Sequence, residues 1–177
     1  MATNIKALTM AKAMNPKVLG NATVALLNER LFDEYTAHFF YRNAANFCKG
    51  VGYNNATAFF VAEAANELTH AELLQGYMVD WNITPTMPSV KPNIQFAGLI
   101  DIVNKAYLLE FDLFEKYNET SQKIFQHDLA TFDFLQELRE GQTKSVAEYS
   151  DLLNAAQIID PTNLLDILHY EEMYFKV

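Results

Sequence analysis

Glu67 and His70 stand three residues apart in this sequence, a spacing that puts both on one side of a helix. A carboxylate and an imidazole placed in this way can aim two ligand atoms at a single cation. Glu67 interrupts an otherwise apolar series of Phe60, Ala64, Ala71, Leu74 and Met78. Three further interruptions of the same kind occur. Glu34 falls within Leu27, Leu31, His38, Tyr41 and Ala45; Glu110 within Leu99, Val103, Ala106, Leu113 and Tyr117; Gln142 within Leu135, Leu138, Ser145, Tyr149 and Leu152. Alternating steps of three and four put each series on the inward face of a helix. A carboxylate buried there is costly unless a partner charge or a metal compensates it. Four such interruptions require a common cause, and an oxygen-rich set with one imidazole suits iron, with manganese or zinc as competitors.

The elements that must position these residues are long helices. The chain has 177 residues, half of them hydrophobic, with only 6 Gly and 5 Pro, which disfavours a turn-rich β fold and fits one helical domain with a real core. Pro85, Pro88 and Pro92 crowd one short stretch and leave Lys17–Thr84 and Asn93–Asp160 free of proline. Each free stretch has one break near its middle, Gly50-Val51-Gly52 in the first and Gln126-His127-Asp128 in the second, where Asp128 suits a helix cap. The expected helices are 17–47, 54–80, 96–125 and 128–158, forming two antiparallel hairpins. Residues 81–95 form the crossover, which makes the second and third helices parallel. A short fifth helix is expected over 162–175, after Asp160-Pro161, and residues 1–15 form an N-terminal extension without an assigned role.

Hairpin symmetry sets the heights. Glu34 and Glu67 are nearly equidistant from the first break, as are Glu110 and Gln142 from the second. All four lie ~24 Å from their turns at 1.5 Å per residue. An in-register stack of the two hairpins brings them to one level of the core.

With 22 Asp+Glu against 13 Lys+Arg, the net charge is −9, so nucleic acid is not an expected partner. No run reaches the ~18–20 apolar residues of a membrane span, and the N-terminus lacks the apolar core of a signal peptide. The single cysteine, Cys48, fits a packed residue in a cytoplasmic protein.

These residues resemble the ferritin family over about Leu26–Leu153. Leu27-Asn28-Glu29 leading to Glu34, with Tyr41 two turns on, looks like the first ligand helix. Glu67-Leu68-Thr69-His70-Ala71-Glu72 looks like the second, Glu110 falls where the third helix gives its glutamate, and Phe132-Asp133-Phe134-Leu135 followed by Gln142 and Ser145 is similar to the fourth helix of non-haem ferritins. The resemblance implies an all-α, ferritin-like four-helix bundle with a short C-terminal helix and an intrasubunit diiron ferroxidase centre. There Glu34, Glu67 and His70 bind the first iron, Glu67 bridges, Glu110 and Gln142 hold the second iron, and Ser145 is a weak neighbour. Fe(II) and dioxygen or hydrogen peroxide would be the substrates, Tyr41 would stand beside the centre, and a homo-oligomeric cage, usually of 24 subunits, would store ferric mineral.

The departures from the family refine this. Gln142 and Ser145 stand where bundles with two complete Glu-x-x-His motifs carry a carboxylate and a histidine, which favours iron passing through over a permanent cofactor. Leu68 replaces the haem-binding methionine of bacterioferritins, so no haem is expected. Asn66, Gly141 and Lys144 occupy the positions of a third iron site found in some bacterial members. The alternatives are another diiron oxidase or peroxidase on the same bundle, or a non-catalytic shell subunit. Among the other candidates, His38 reads as a hydrogen-bonded core or interface residue, His127 and His169 as solvent or interface residues, and Phe39, Phe40, Phe59, Phe60, Phe111 and Phe114 as core or subunit contacts. Glu171-Glu172 reads as a solvated acidic face.

Overall fold

The computed structural model of the protein describes residues 19–91 and 94–176; the N-terminal extension expected over 1–15 lies outside them, as do Pro92 and Asn93. Among the described residues there are five helices and no strand: α1 (Asn21–Val51), α2 (Asn54–Asp80), α3 (Leu99–Phe125), α4 (Leu129–Ala156) and α5 (Leu164–Tyr174). None is long and apolar enough to cross a membrane.

The helix ends show which break signals act. Gly50 remains helical, and α1 runs to Val51 instead of ending near residue 47. Gly52 stops it by taking φ +91°, a left-handed conformation that costs glycine little. Its own N–H and that of Tyr53 then both turn back to the Cys48 carbonyl. At the end of α2, Asn82 takes φ +59°, its N–H donates to the Val79 carbonyl and that of Ile83 to the Met78 carbonyl. This double reversal is sealed by apolar contact between its two ends, and Met78 and Ile83 are both buried in one cluster. α4 begins at Asp128 as expected, its carboxylate accepting from the Thr131 N–H at 3.1 Å. α3 starts three residues later than expected because residues 96–98 still belong to the crossover. α5 is shorter than 162–175: Asp160–Thr162 form a turn and Asn163 caps the helix through the Leu165 N–H.

The buried side chains form two apolar clusters that define the topology. One gathers the end of α1, the start of α2, the start of α3, the end of α4 and α5. The other gathers the start of α1, the end of α2, the end of α3 and the start of α4. Each hairpin is therefore antiparallel, and α2 and α3 run parallel, as the crossover requires. The crossover itself lies along α1, where the Thr86 N–H donates to Asn28 Oδ1 at 2.7 Å and the Asn43 amide donates to the Ile94 carbonyl. Between the two clusters, at mid-height on all four helices, sit Glu34, Glu67, Glu110 and Gln142, all buried.

α5 fastens the α1-end pole of the bundle. The Tyr170 hydroxyl donates to the Leu152 carbonyl of α4 at 2.8 Å. At the next residue, Glu171 accepts from the Ala56 N–H at 2.8 Å, with Asn55 Nδ2 at 3.4 Å. Glu171 thus caps the first turn of α2, where free N–H groups and the helix dipole favour an anion. It is buried, not part of a solvated acidic face. Its neighbour Glu172 is exposed. Loss of an N-terminal cap costs about 0.5–2 kcal/mol, so Glu171→Ala should lower the urea unfolding midpoint and speed proteolysis between α4 and α5, whereas Glu172→Ala should change neither.

Candidate metal centre

The mid-height layer is built from one side chain per helix plus His70. Glu34, Glu67 and His70 each offer a ligand atom, and these atoms all lie within 4.8 Å of one another. His70 Nδ1 is 3.2 Å from Glu67 Oε2 and 3.4 Å from Glu34 Oε2. Because carboxylate oxygens only accept, that nitrogen carries the proton. Glu110 and Gln142 form the other half of the layer: the Gln142 amide donates to the Glu110 backbone carbonyl at 3.1 Å and to its Oε2, while the Tyr41 hydroxyl donates to Glu110 Oε1. Tyr41 is fully buried and its hydroxyl bonds a candidate ligand carboxylate.

The electrostatics follow from burying several carboxyls around one imidazole. Burial pushes the Glu110 carboxyl up to about 7; hydrogen bonds from Tyr41 and Gln142 oppose this and the Glu34 charge adds to it. Glu67 is likewise raised well above the ordinary carboxylate value by burial, against the contact with His70. For His70 burial pulls downward, but the Glu34 and Glu67 carboxylates outweigh it and hold the imidazolium up to about 10. In the metal-free protein His70 supplies the positive charge of the layer. A metal bound at Nδ1 would have to displace this proton, so proton and cation would compete for the same place.

Three parts of the layer were not evident in the sequence. Tyr117 read as a core residue, yet its hydroxyl donates to Glu34 Oε1. Glu63, one turn before Glu67, accepts from the Tyr149 hydroxyl at 3.1 Å, and burial together with the Glu148 charge pushes it up to about 7. The Tyr149 ring stacks on Tyr41 with centroids 5.8 Å apart, linking this pair to the layer. Arg30, an almost fully buried cation, donates to the Lys116 carbonyl and Thr120 Oγ1 at 2.7 and 2.8 Å and pairs with Asp33 at 2.6 Å. The signal available for Tyr117 was a repeat: Glu34 and Tyr41 are seven residues apart, and so are Glu110 and Tyr117.

The remaining candidates are placed as follows. Ser145 Oγ lies 3.5 Å from the Gly141 carbonyl of its own helix. His38 Nδ1 donates to the Ala64 carbonyl at 2.6 Å, which makes it a hydrogen-bonded, half-buried residue. His127 and His169 are exposed. Phe40, Phe59 and Phe60 are core, while Phe39 and Phe111 are exposed. Cys48 is buried, and burial pushes its thiol up to about 12, leaving it protonated and unreactive.

A four-helix bundle crossed at mid-height by a layer of carboxylates and one histidine defines a class of metal-binding proteins. Residues 24–159 match the family model for the ferritin-like domain, and the chain belongs to the ferritin family. It is similar to the bacterial non-heme ferritin of Campylobacter jejuni, at 28% identity over 144 residues that cover 80% of this chain and 86% of that relative. Its similarity to the bacterial non-heme ferritin of Staphylococcus epidermidis is 23% over 157 residues, covering 87% and 95%. In fold, it matches an open pore ferritin from Archaeoglobus fulgidus with a TM-score of 0.82 at 17% identity, over 90% of this chain and 98% of that one.

The raised carboxyls give a pH dependence of definite sign. Between the ordinary value of 4.5 and about 7, Glu110 and Glu63 keep protons in the folded chain that they lose on unfolding. The stability they contribute falls as pH rises through that window. His70 acts in the same direction, its stabilisation being complete below 6.5 and lost as pH rises through about 10. The urea midpoint of the metal-free protein should therefore fall between pH 5 and pH 8, and saturating Zn(II) should reduce or reverse that trend.

Proposed function

We propose that the chain is a non-haem ferritin subunit. In this reading the mid-height layer is an intrasubunit diiron ferroxidase centre, which oxidises Fe(II) for storage as ferric mineral inside a cytoplasmic homo-oligomeric cage, of 24 subunits by family resemblance. One observation carries the assignment of chemistry: Glu34 Oε2, the Glu67 carboxylate and His70 Nδ1 converge in the buried middle of the bundle. Glu34 Oε2 is the one buried side-chain nitrogen or oxygen among the described residues that lacks a hydrogen-bond partner. A buried carboxylate oxygen that accepts no hydrogen bond suits coordination of a cation.

Each residue has a defined task. Glu34, Glu67 and His70 bind the first Fe(II), and Glu67 bridges to the second. Glu110 holds the second with the Gln142 amide oxygen, and Ser145 lies beside it as a weak neighbour. Each Fe(II) gives one electron. Two electrons and two protons convert dioxygen to hydrogen peroxide, or hydrogen peroxide to two waters. The His70 proton released on binding is one of those available. Tyr41 keeps Glu110 oriented while the charge at the site grows. The neutral Gln142 and Ser145 hold the product ion less firmly than a carboxylate and a histidine would, which lets Fe(III) move on.

The acidic chain concentrates cations around the particle. The exposed apolar side chains Phe32 and Phe39 of α1 and Leu164, Leu165 and Leu168 of α5 provide surface for subunit contacts.

Aerobic addition of Fe(II) to the metal-free protein at pH 7 should oxidise many irons per chain, followed by ferric absorbance, in a particle far larger than a dimer by light scattering. A stoichiometric single turnover, or a monomer or dimer, sinks the storage reading. Replacing Glu67 and His70 together by Ala should slow the fast oxidation phase at least 100-fold, since the ligands act as a unit. The bundle should remain helical by circular dichroism, because both members of the Glu67–His70 pair are removed together and neither is left buried without the other.

A further inference from the structure

The two halves of the layer are tied by a crossed pair of tyrosines. Glu34 and Tyr41 are on α1, and Glu110 and Tyr117 are on α3, each tyrosine seven residues after its glutamate. Two turns of helix separate the members of each pair along the axis. Because α1 and α3 run in opposite directions, Tyr41 lies on one side of the layer and Tyr117 on the other, and each reaches back to the glutamate of the opposite helix. The hydroxyls exploit this: Tyr41 donates to Glu110 and Tyr117 donates to Glu34. Both tyrosines are buried, and each hydroxyl faces a carboxylate oxygen, to which it donates.

We infer that Tyr117 is a second positioning tyrosine of the metal centre, which fixes Glu34 so that it presents a single oxygen, Oε2, to the first metal ion. The inference rests on the reading of this layer as a metal site. Glu34 Oε1 is engaged by the Tyr117 hydroxyl while Oε2, 3.4 Å from His70 Nδ1, accepts no hydrogen bond. The carboxylate is thereby oriented with its free oxygen toward Glu67 and His70. Tyr117 is in turn held from behind. The Arg30 guanidinium lies 6.0 Å from the centre of its ring and is itself anchored to the Lys116 carbonyl, Thr120 and Asp33. A phenylalanine at 117 would fill the same space and leave Glu34 Oε1 without its donor. The hydroxyl therefore sets direction, and the ring supplies packing.

The test separates these two contributions. Co(II) binds such sites without being oxidised by air, so its absorption reports ligand geometry and its titration reports affinity. Tyr117→Phe should weaken the first Co(II) by about 10–100-fold, the usual effect of removing a hydrogen bond to a metal ligand, and should alter the visible Co(II) band. Tyr41→Phe should instead act on the second Co(II). Thr120→Val, which disturbs the Arg30 anchor but leaves the Tyr117 hydroxyl in place, should change the unfolding midpoint with little effect on the Co(II) spectrum. If the parent binds Co(II) and Tyr117→Phe matches it in affinity and spectrum, the role of Tyr117 is overturned while the site stands. If the parent binds no Co(II), the site reading and the inference both fall. Should Tyr117→Phe not fold, tyrosine labelled at the ring carbon that bears oxygen can be followed by NMR in the parent. The Tyr117 resonance must shift with the first equivalent of Zn(II), and an unmoved resonance refutes the inference.

Discussion

Three carboxylates share one dry layer at the middle of this bundle, and the rest of the structure answers to that fact. Glu34, Glu67 and Glu110 are essentially without solvent contact, where charges of one sign repel and water cannot screen them. The protein compensates with neutral donors and one cation: two tyrosine hydroxyls, one amide and the His70 imidazolium. The compensation is incomplete at one oxygen of Glu34. The apolar core is consequently divided into two clusters, one on each side of the layer. Each cluster must hold the helices together by itself, which explains why the buried aromatic rings are packed so densely at the α1-end pole, where Phe59, Phe60, Tyr149 and Phe175 meet edge to face.

The layer also places stability and function in opposition. A core designed only to stay folded would carry leucines at these four heights, and the metal-free chain forgoes that hydrophobic stabilisation. What it retains is an arrangement in which a divalent cation would relieve repulsion that the fold has already built in. Binding energy and folding energy are coupled at this level. The near-symmetry of the halves makes the difference between them informative. Where α2 carries Glu67 and His70, α4 carries Gln142 and Ser145 at the same spacing, so α2 brings a carboxyl and an imidazolium to its half of the layer while α4 brings only neutral groups.

Much of this was legible in the sequence, and the parts that were not share a cause. Periodicity exposed Glu34, Glu67, Glu110 and Gln142 because a polar residue in an apolar stripe breaks the pattern. Hairpin symmetry then matched their heights. Tyr117 did not break the pattern, since an aromatic side chain satisfies the stripe whether or not its hydroxyl has a task. Glu171 was misread for a related reason: an acidic pair in a short terminal helix is ordinarily solvated, and only the position of α5 against the first turn of α2 makes one of the two a buried cap. The end of α1 was set too early because two glycines are equivalent as letters, whereas only Gly52 adopts a conformation that needs one. Ser145 shares the inward stripe of its helix in the sequence, but its small side chain turns to its own helix at Gly141, a choice no spacing rule encodes.

The contacts of α5 have a mechanical meaning for the layer. Tyr170 is bonded to α4 of the second hairpin and Glu171, its neighbour, to α2 of the first. Two consecutive residues therefore bridge the hairpins at one end, while the crossover joins them through the chain itself. Helices packed by apolar side chains alone can slide by a turn, a step of ~5.4 Å, and such a slip would carry Glu110 and Gln142 away from Glu34 and Glu67. A bridge formed by directional hydrogen bonds resists that shear. The short C-terminal helix thus acts as a ratchet stop, keeping the two hairpins at the one relative height at which Glu34, Glu67, Glu110 and Gln142 share a layer.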